Sequence, residues 1–435
     1  MSAITTALPA WVLGLRDFQR LGLINKAVID VTAVDIPFIA MAKNKTEQKE
    51  RILRQSLLLV IAFILAPIHS TLIARAMSKY VGFVGDAGKA LNKTLMQLSY
   101  KDLGNLESFQ TAVSKLFKTT LNQPLPELLV KNGLTDALRH NILKAKSHFL
   151  RLDLAVEGVL FSLIGPAKVM FGEWLSGKKQ FTGEFGIVDQ STLNKLYDKQ
   201  AEAKAKKKPW RQFLQQHSTL FSMALGVIVP LLGATALHRL FKAPSPTGVS
   251  RWFQQHIAPH FDYHYSQFIK VFKGVPMLSD GSLLLMCILM QISELAAARS
   301  KREVKEVAIQ RSLLDVTFFF GIPAFMRLLS GSTSVQGAMD KKIEAAAAKG
   351  IKLGEAELKR IGKVAGWTYG VSYLLAATAI IGSIALGNHF TRKGVRDDAQ
   401  KLELKERFLT ILLKPLAAPL PRPNMNQWAT AGGKR

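Results

Sequence analysis

The sequence predicts an all-α fold: a polytopic integral membrane helix bundle of about seven spans (six to eight), built from repeated helical hairpins with amphipathic interfacial helices between them. Three observations lead there. Several apolar runs are long enough to cross a bilayer, one basic-turn motif occurs twice, and no stretch alternates apolar and polar residues for long enough to build a sheet.

Run length carries the membrane expectation. A spanning helix needs about 20 mostly apolar residues, because each adds about 1.5 Å and the hydrocarbon is about 30 Å thick. Residues 367–387 and 219–237 hold no charge, and 56–74 hold His69 as their one polar ring. Residues 154–171, 281–298 and 312–329 follow the same pattern with charges near their ends. The first run, 23–42, is different because it contains Lys26, Asp30 and Asp35. Each central charge costs about 2.5–3.5 kcal/mol, against roughly 0.3–0.6 kcal/mol gained per Leu, Ile, Val or Phe. That helix therefore requires partners or lies partly at the interface.

The repeat organises the chain. Residues 40–67 recur without gaps as 296–323, with 12 identities in 28 positions; chance would give roughly two. Lys45, Glu47, Lys49 and Glu50 fall on Lys301, Glu303, Lys305 and Glu306, and Pro67 falls on Pro323. Each copy reads as two membrane helices joined by a basic turn.

In order, residues 1–22 form an N-terminal segment and 23–77 the first hairpin. A polar amphipathic helical insertion follows at 78–153, then a second hairpin with a long basic connector at 154–241. Residues 242–280 are an aromatic and His-rich interfacial segment, and 281–330 the third hairpin, which repeats the first. An amphipathic helix (331–366), a last span (367–387) and a basic, Pro-containing tail (388–435) complete the layout. In the insertion, Phe109, Val113, Leu116 and Phe117 return every third or fourth position, as on one helix face. Such helices suit the headgroup boundary or, equally, a small extramembrane helical cap. No basic residue precedes the apolar residues 4–15, so no removable signal peptide is expected. The single cysteine, Cys287, excludes an intramolecular disulfide framework.

Charge sets the expected topology and partners. The turns 43–54 and 299–311, the connector 177–212 and the tail hold 29 basic residues in 109. The positive-inside rule makes that side cytoplasmic, in a bacterial inner membrane or an organellar membrane. The net charge of +27 is spread over every polar segment and interleaved with acids, without zinc-finger spacing or an aromatic RNA-binding strand. Anionic membrane lipids account for it better than nucleic acid, and a protein partner or homo-oligomer is a further expectation.

Candidate site residues are few. Asp35 sits inside an apolar run without a local partner, which makes it the best single functional or pairing residue. Glu157 and Asp315, in the first turns of their runs, and Glu294, in the last turn of its own, are discounted because each reaches the headgroup region. His256, His260 and His264 have helical ligand spacing, but Pro259 interrupts them and the surrounding aromatics read as an interfacial belt. Pro67, Pro230 and Pro323 are expected to kink their spans. Gly362, Gly366 and Gly370 form overlapping GxxxG units suited to close helix packing. No nucleophile, base and orienting acid stand at recognisable spacing, so neither an enzyme nor a cofactor is expected. Two readings follow: a membrane-embedded structural or interaction protein, or a transporter with a pathway near Asp35.

Overall fold

The structure, a computed structural model, describes residues 8–20, 23–121, 123–205, 217–242, 248, 252, 261–265, 275–277 and 279–413. These are helical almost throughout, as the sequence predicts. A two-residue antiparallel pairing of β1 (His264–Tyr265) with β2 (Pro276–Met277) is the one named sheet among them.

The chain begins with α1 (Ala10–Arg20), α2 (Leu23–Ile29) and α3 (Ile36–Ala40), the last two joined by a π-helical turn, Asp30–Asp35. A second π turn, Ile61–Leu65, joins α4 (Lys45–Val60) to α5 (Ala66–Met77). In both places a proline, Pro37 or Pro67, enters just after the wide turn. A proline lacks the N–H and crowds the carbonyl four residues back, and a π turn relieves that conflict without ending the helix. Pro230 and Pro323 lie inside unbroken helices.

The insertion contains α6 (Gly85–Leu95), α7 (Leu106–Lys115) and α8 (Glu127–Asn132), and leads into the long α9 (Asp136–Ser176). Then follow α10 (Gln190–Ala205), α11 (Ser218–Lys242), α12 (Asp280–Ala297), α13 (Lys301–Ser330), α14 (Val335–Ala348) and α15 (Glu355–Leu413). Starts and stops obey local chemistry. Thr135 and Ser334 cap α9 and α14 through their hydroxyls, and Gly177 and Gly331 close α9 and α13 at positive φ of 64° and 71°.

Among the described residues, four helical stretches are long and apolar enough to cross a membrane: Lys45–Val81, Asp136–Ser176, Lys301–Ala348 and Glu355–Leu409. These are fewer than the expected seven or so. The apolar stretches Leu220–Ala236 and Gly281–Ala297 lie within α11 and α12, helices of 25 and 18 residues. The first run is divided by its π turn and carries buried Asp30 and Asp35.

Helix α9 packs most closely on α11 and α12, and α13 on α15. One face of α9 is a glycine ladder. A side chain at Gly158 would strike the backbone of Gly226, one at Gly165 the Ser293–Glu294 backbone, and one at Gly172 the ion pair of Glu50 and Arg299. The spacing of seven keeps all three on one side of the helix, where small residues let backbones approach. The insertion turns its apolar residues inward: Phe109, Val113, Leu129 and Ile142 are buried in one core with Phe149 and Phe161 of α9. Val335 and Met339 of α14 are likewise covered, against α1, α13 and α15.

Candidate functional site

The two copies of the basic turn come to lie side by side. Asn44 opens α4 and accepts from the Glu47 amide at 2.9 Å; Ser300 opens α13 and accepts from the Glu303 amide at 3.0 Å. Glu47 and Glu303 reach back to accept from the Lys43 and Arg299 amides, at 2.6 and 2.7 Å. These reciprocal caps satisfy amides that a helix N-terminus leaves without intrahelical partners.

The turns then exchange charges. Lys43 Nζ donates to Glu306 at 2.6 and 2.8 Å, and Arg299 Nη2 donates to Glu50 Oε1 at 2.8 Å. Donors 43 and 299, and acceptors 50 and 306, are each 256 apart, the offset of the repeat. Lys168 of α9 stands 3.3 Å from Glu303 and 3.7 Å from Glu50, and Arg51 stands 2.7 Å from Glu47. Four cations (Lys43, Arg51, Lys168, Arg299) thus meet four carboxylates (Glu47, Glu50, Glu303, Glu306), and this outer layer is neutral. Neutral side chains complete it. Thr182 donates to Glu50 at 2.7 Å, Thr391 of α15 donates to Glu306, and Asn388 accepts from Arg51 at 3.0 Å. Burial disfavours the charge on Arg299, but the Glu303 and Glu50 carboxylates outweigh it and push its pKa above the usual arginine value.

An inner layer lies deeper in the bundle. Arg54 and Arg311 both pair with Glu294, the latter at 3.3 Å. The Phe38 ring is flanked by the guanidinium carbons of Arg51 at 4.3 Å and Arg311 at 4.5 Å. Asp35, which the sequence leaves without a local partner, accepts from Gln55 Nε2 of α4; its second oxygen receives no hydrogen bond. Asp30 and Asp315, both buried, line a cavity of about 20 Å³ with Arg311 and Cys287. That is room for about one water. Arg54 and Arg311 here face Glu294, Asp30, Asp35 and Asp315, and Lys168 of the outer layer also acts on Glu294.

A second constellation lies between α5 and the middle of α9, some 15 residues or about 22 Å along α9 from Lys168. His69 Nδ1 is 2.8 Å from Asp153 Oδ1, and Ser70 Oγ donates to Asp153 Oδ2 at 2.8 Å. The Tyr263 hydroxyl donates to the same oxygen. Glu157, one turn beyond Asp153, is fully buried; neither of its oxygens accepts a hydrogen bond, and His69 Nε2 stands 3.8 Å from Oε1. The nearby Lys146 is engaged with Asp262 at 3.0 Å and the Leu98 carbonyl at 2.7 Å.

Other sequence candidates fare differently. Gly362 and Gly366 of α15 sit against Leu8, Trp11 and Val12, whereas a side chain at Gly370 would meet nothing. His256 and His260 lie outside the described residues, and for His264 only the backbone is described. Glu157 and Glu294 were discounted on position along their runs, yet both are buried and central to a cluster. The capping signals Asn44-x-x-Glu47 and Ser300-x-x-Glu303 were available in the sequence; the His69–Asp153 contact, 84 positions apart, left no local trace. No protein-family model, curated protein or solved structure matches the chain.

Proposed function

We propose that the protein is a membrane-embedded scaffold whose two basic hairpin turns are fastened together by buried ion pairs, and whose basic connectors hold anionic lipid or an acidic partner. One observation carries the membrane part. In the most apolar stretch of each long helix only 33 to 44% of residues are buried within the protein. Leu72, Met170, Phe320 and Leu374, one from each, are 60, 69, 52 and 63% exposed. Contiguous apolar surface on this scale is costly in water and costs nothing in hydrocarbon. The test is alkaline carbonate extraction of membranes from expressing cells. Retention in the pellet is expected, and release into the supernatant would defeat the proposal.

The scaffold part is supported by the neutral outer layer and its interlocking ion pairs. The cavity beside Asp30 and Asp315 has room for about one water, which suits a packed scaffold. A second reading is favoured by the four buried carboxylates gathered there. Buried charge of one sign calls for a proton or a cation, the requirement of a coupled transporter. Asp35→Asn in reconstituted vesicles separates the two. A scaffold keeps its stability and has no flux to lose; a transporter keeps its stability and loses ion or proton flux.

A further inference from the structure

We infer that His69 and Glu157 form a binding site for a divalent transition metal, Zn²⁺ foremost, with Asp153 positioning the imidazole. This goes beyond the scaffold reading and does not depend on it.

Hydrogen bonds orient the imidazole. Asp153 accepts at Oδ2 from both Ser70 Oγ and Tyr263 OH, which fixes that carboxylate and aims Oδ1 at His69 Nδ1, 2.8 Å away. With the carboxylate as acceptor, Nδ1 is the donor and Nε2 is the nitrogen left to face a ligand. What Nε2 faces is another acceptor. Glu157 Oε1 is 3.8 Å away, and both Glu157 oxygens and Nε2 are buried without a hydrogen bond. Two lone-pair groups in mutual view repel unless something positive lies between them. A direct hydrogen bond does not close this gap, since 3.8 Å is well beyond the roughly 3.2 Å limit of a good N–H···O bond. A metal does: ligand distances of about 2.0–2.2 Å to each atom place N and O some 3.3–4.2 Å apart.

The surroundings fit the same assignment. The ligand atoms of His69, Asp153 and Glu157 all lie within 4.8 Å of one another. An imidazole whose second nitrogen is held by a carboxylate is the usual outer-shell arrangement of a zinc histidine. Charge closes as well: one divalent ion balances Asp153 and Glu157, while Lys146, the nearby cation, is held by Asp262. One nitrogen with carboxylate oxygens suits Zn²⁺ better than Mg²⁺ or Ca²⁺, which favour all-oxygen sites. The His69 side chain is 18% exposed, so the site is not sealed within the protein.

The test uses the full chain in detergent, without a polyhistidine tag, stripped with chelator and titrated with Zn²⁺ alone. One ion per wild-type chain is expected. His69→Gln and Glu157→Gln should each weaken binding by more than about 100-fold, and Asp153→Asn, which only orients, by about 10–100-fold. Replacing His256, His260 and His264 together by alanine should change nothing at this site. Absence of a retained ion in the wild type, or undiminished binding in Glu157→Gln, would overturn the assignment. Should the variants fail to fold, zinc-edge absorption on the wild type still decides. A nitrogen and oxygen shell with one imidazole supports the site, and two imidazoles or a sulfur ligand refute it.

Discussion

The paired turns make a quantitative prediction about Glu50 and Arg299. Their 2.8 Å contact joins side chains that are 1 and 3% exposed. Coulomb attraction at that distance is roughly 6 kcal/mol at an effective dielectric of about 20, set against several kcal/mol of desolvation for each ion. Deleting one partner forfeits the attraction but leaves the other charge buried, which costs about 3–5 kcal/mol. Glu50→Gln should therefore destabilise by that amount, since it also weakens the contacts with Lys168 and Thr182. Arg299→Met should cost a similar amount. The double variant removes both charges, and the cycle should return a coupling of about 1.5–3 kcal/mol. The assay is equilibrium unfolding in mixed detergent micelles, read by tryptophan fluorescence. The reciprocal pair, Lys43 with Glu306 at 2.6 Å, should give a coupling of the same size. A coupling below about 0.5 kcal/mol at either pair would show that the turns are not fastened by these ions.

Glycines on opposite sides of the packing argument should respond with opposite signs. Gly165→Val drives a side chain into the Ser293–Glu294 backbone and should cost at least about 3 kcal/mol. Gly370→Ala faces open space inside α15 and should stabilise by about 0.5–1 kcal/mol. Thermal unfolding of both variants checks this, and a stable Gly165→Val protein would contradict the α9–α12 crossing. At the start of α10, Asp189 accepts from Ser191 Oγ at 2.6 Å, Thr192 Oγ1 at 2.8 Å and the Thr192 amide at 2.8 Å. These hydrogen bonds, that from Ser191 foremost, hold its carboxyl at about 2 against an ordinary 3.8. The native value being depressed, the cap's contribution is complete above pH 3.8 and lost as pH falls through about 2. An NMR titration of Asp189 should show the low midpoint, and an ordinary midpoint would mean the cap does not form.

What the sequence determined by itself is whatever depends on neighbours along the chain. Run length and composition gave helices long enough to cross a bilayer, and the absence of alternation argued against an extended sheet. The turn signals of Asn44 with Glu47 and Ser300 with Glu303 act within four residues, and the structure uses both. The span count was not fixed in this way, because run length alone does not say whether an apolar helix crosses a bilayer or packs inside a bundle. Tertiary structure alone decided which charges meet. Arg299 finds Glu50 across 249 positions and His69 finds Asp153 across 84, through helix faces that the 3.6-residue period defines but cannot pair. The same holds for the glycines. Gly362, Gly366 and Gly370 share one spacing, yet only the first two have neighbours to admit, whereas Gly158, Gly165 and Gly172 each meet another segment. Spacing states which residues share a face, and only packing states what that face touches.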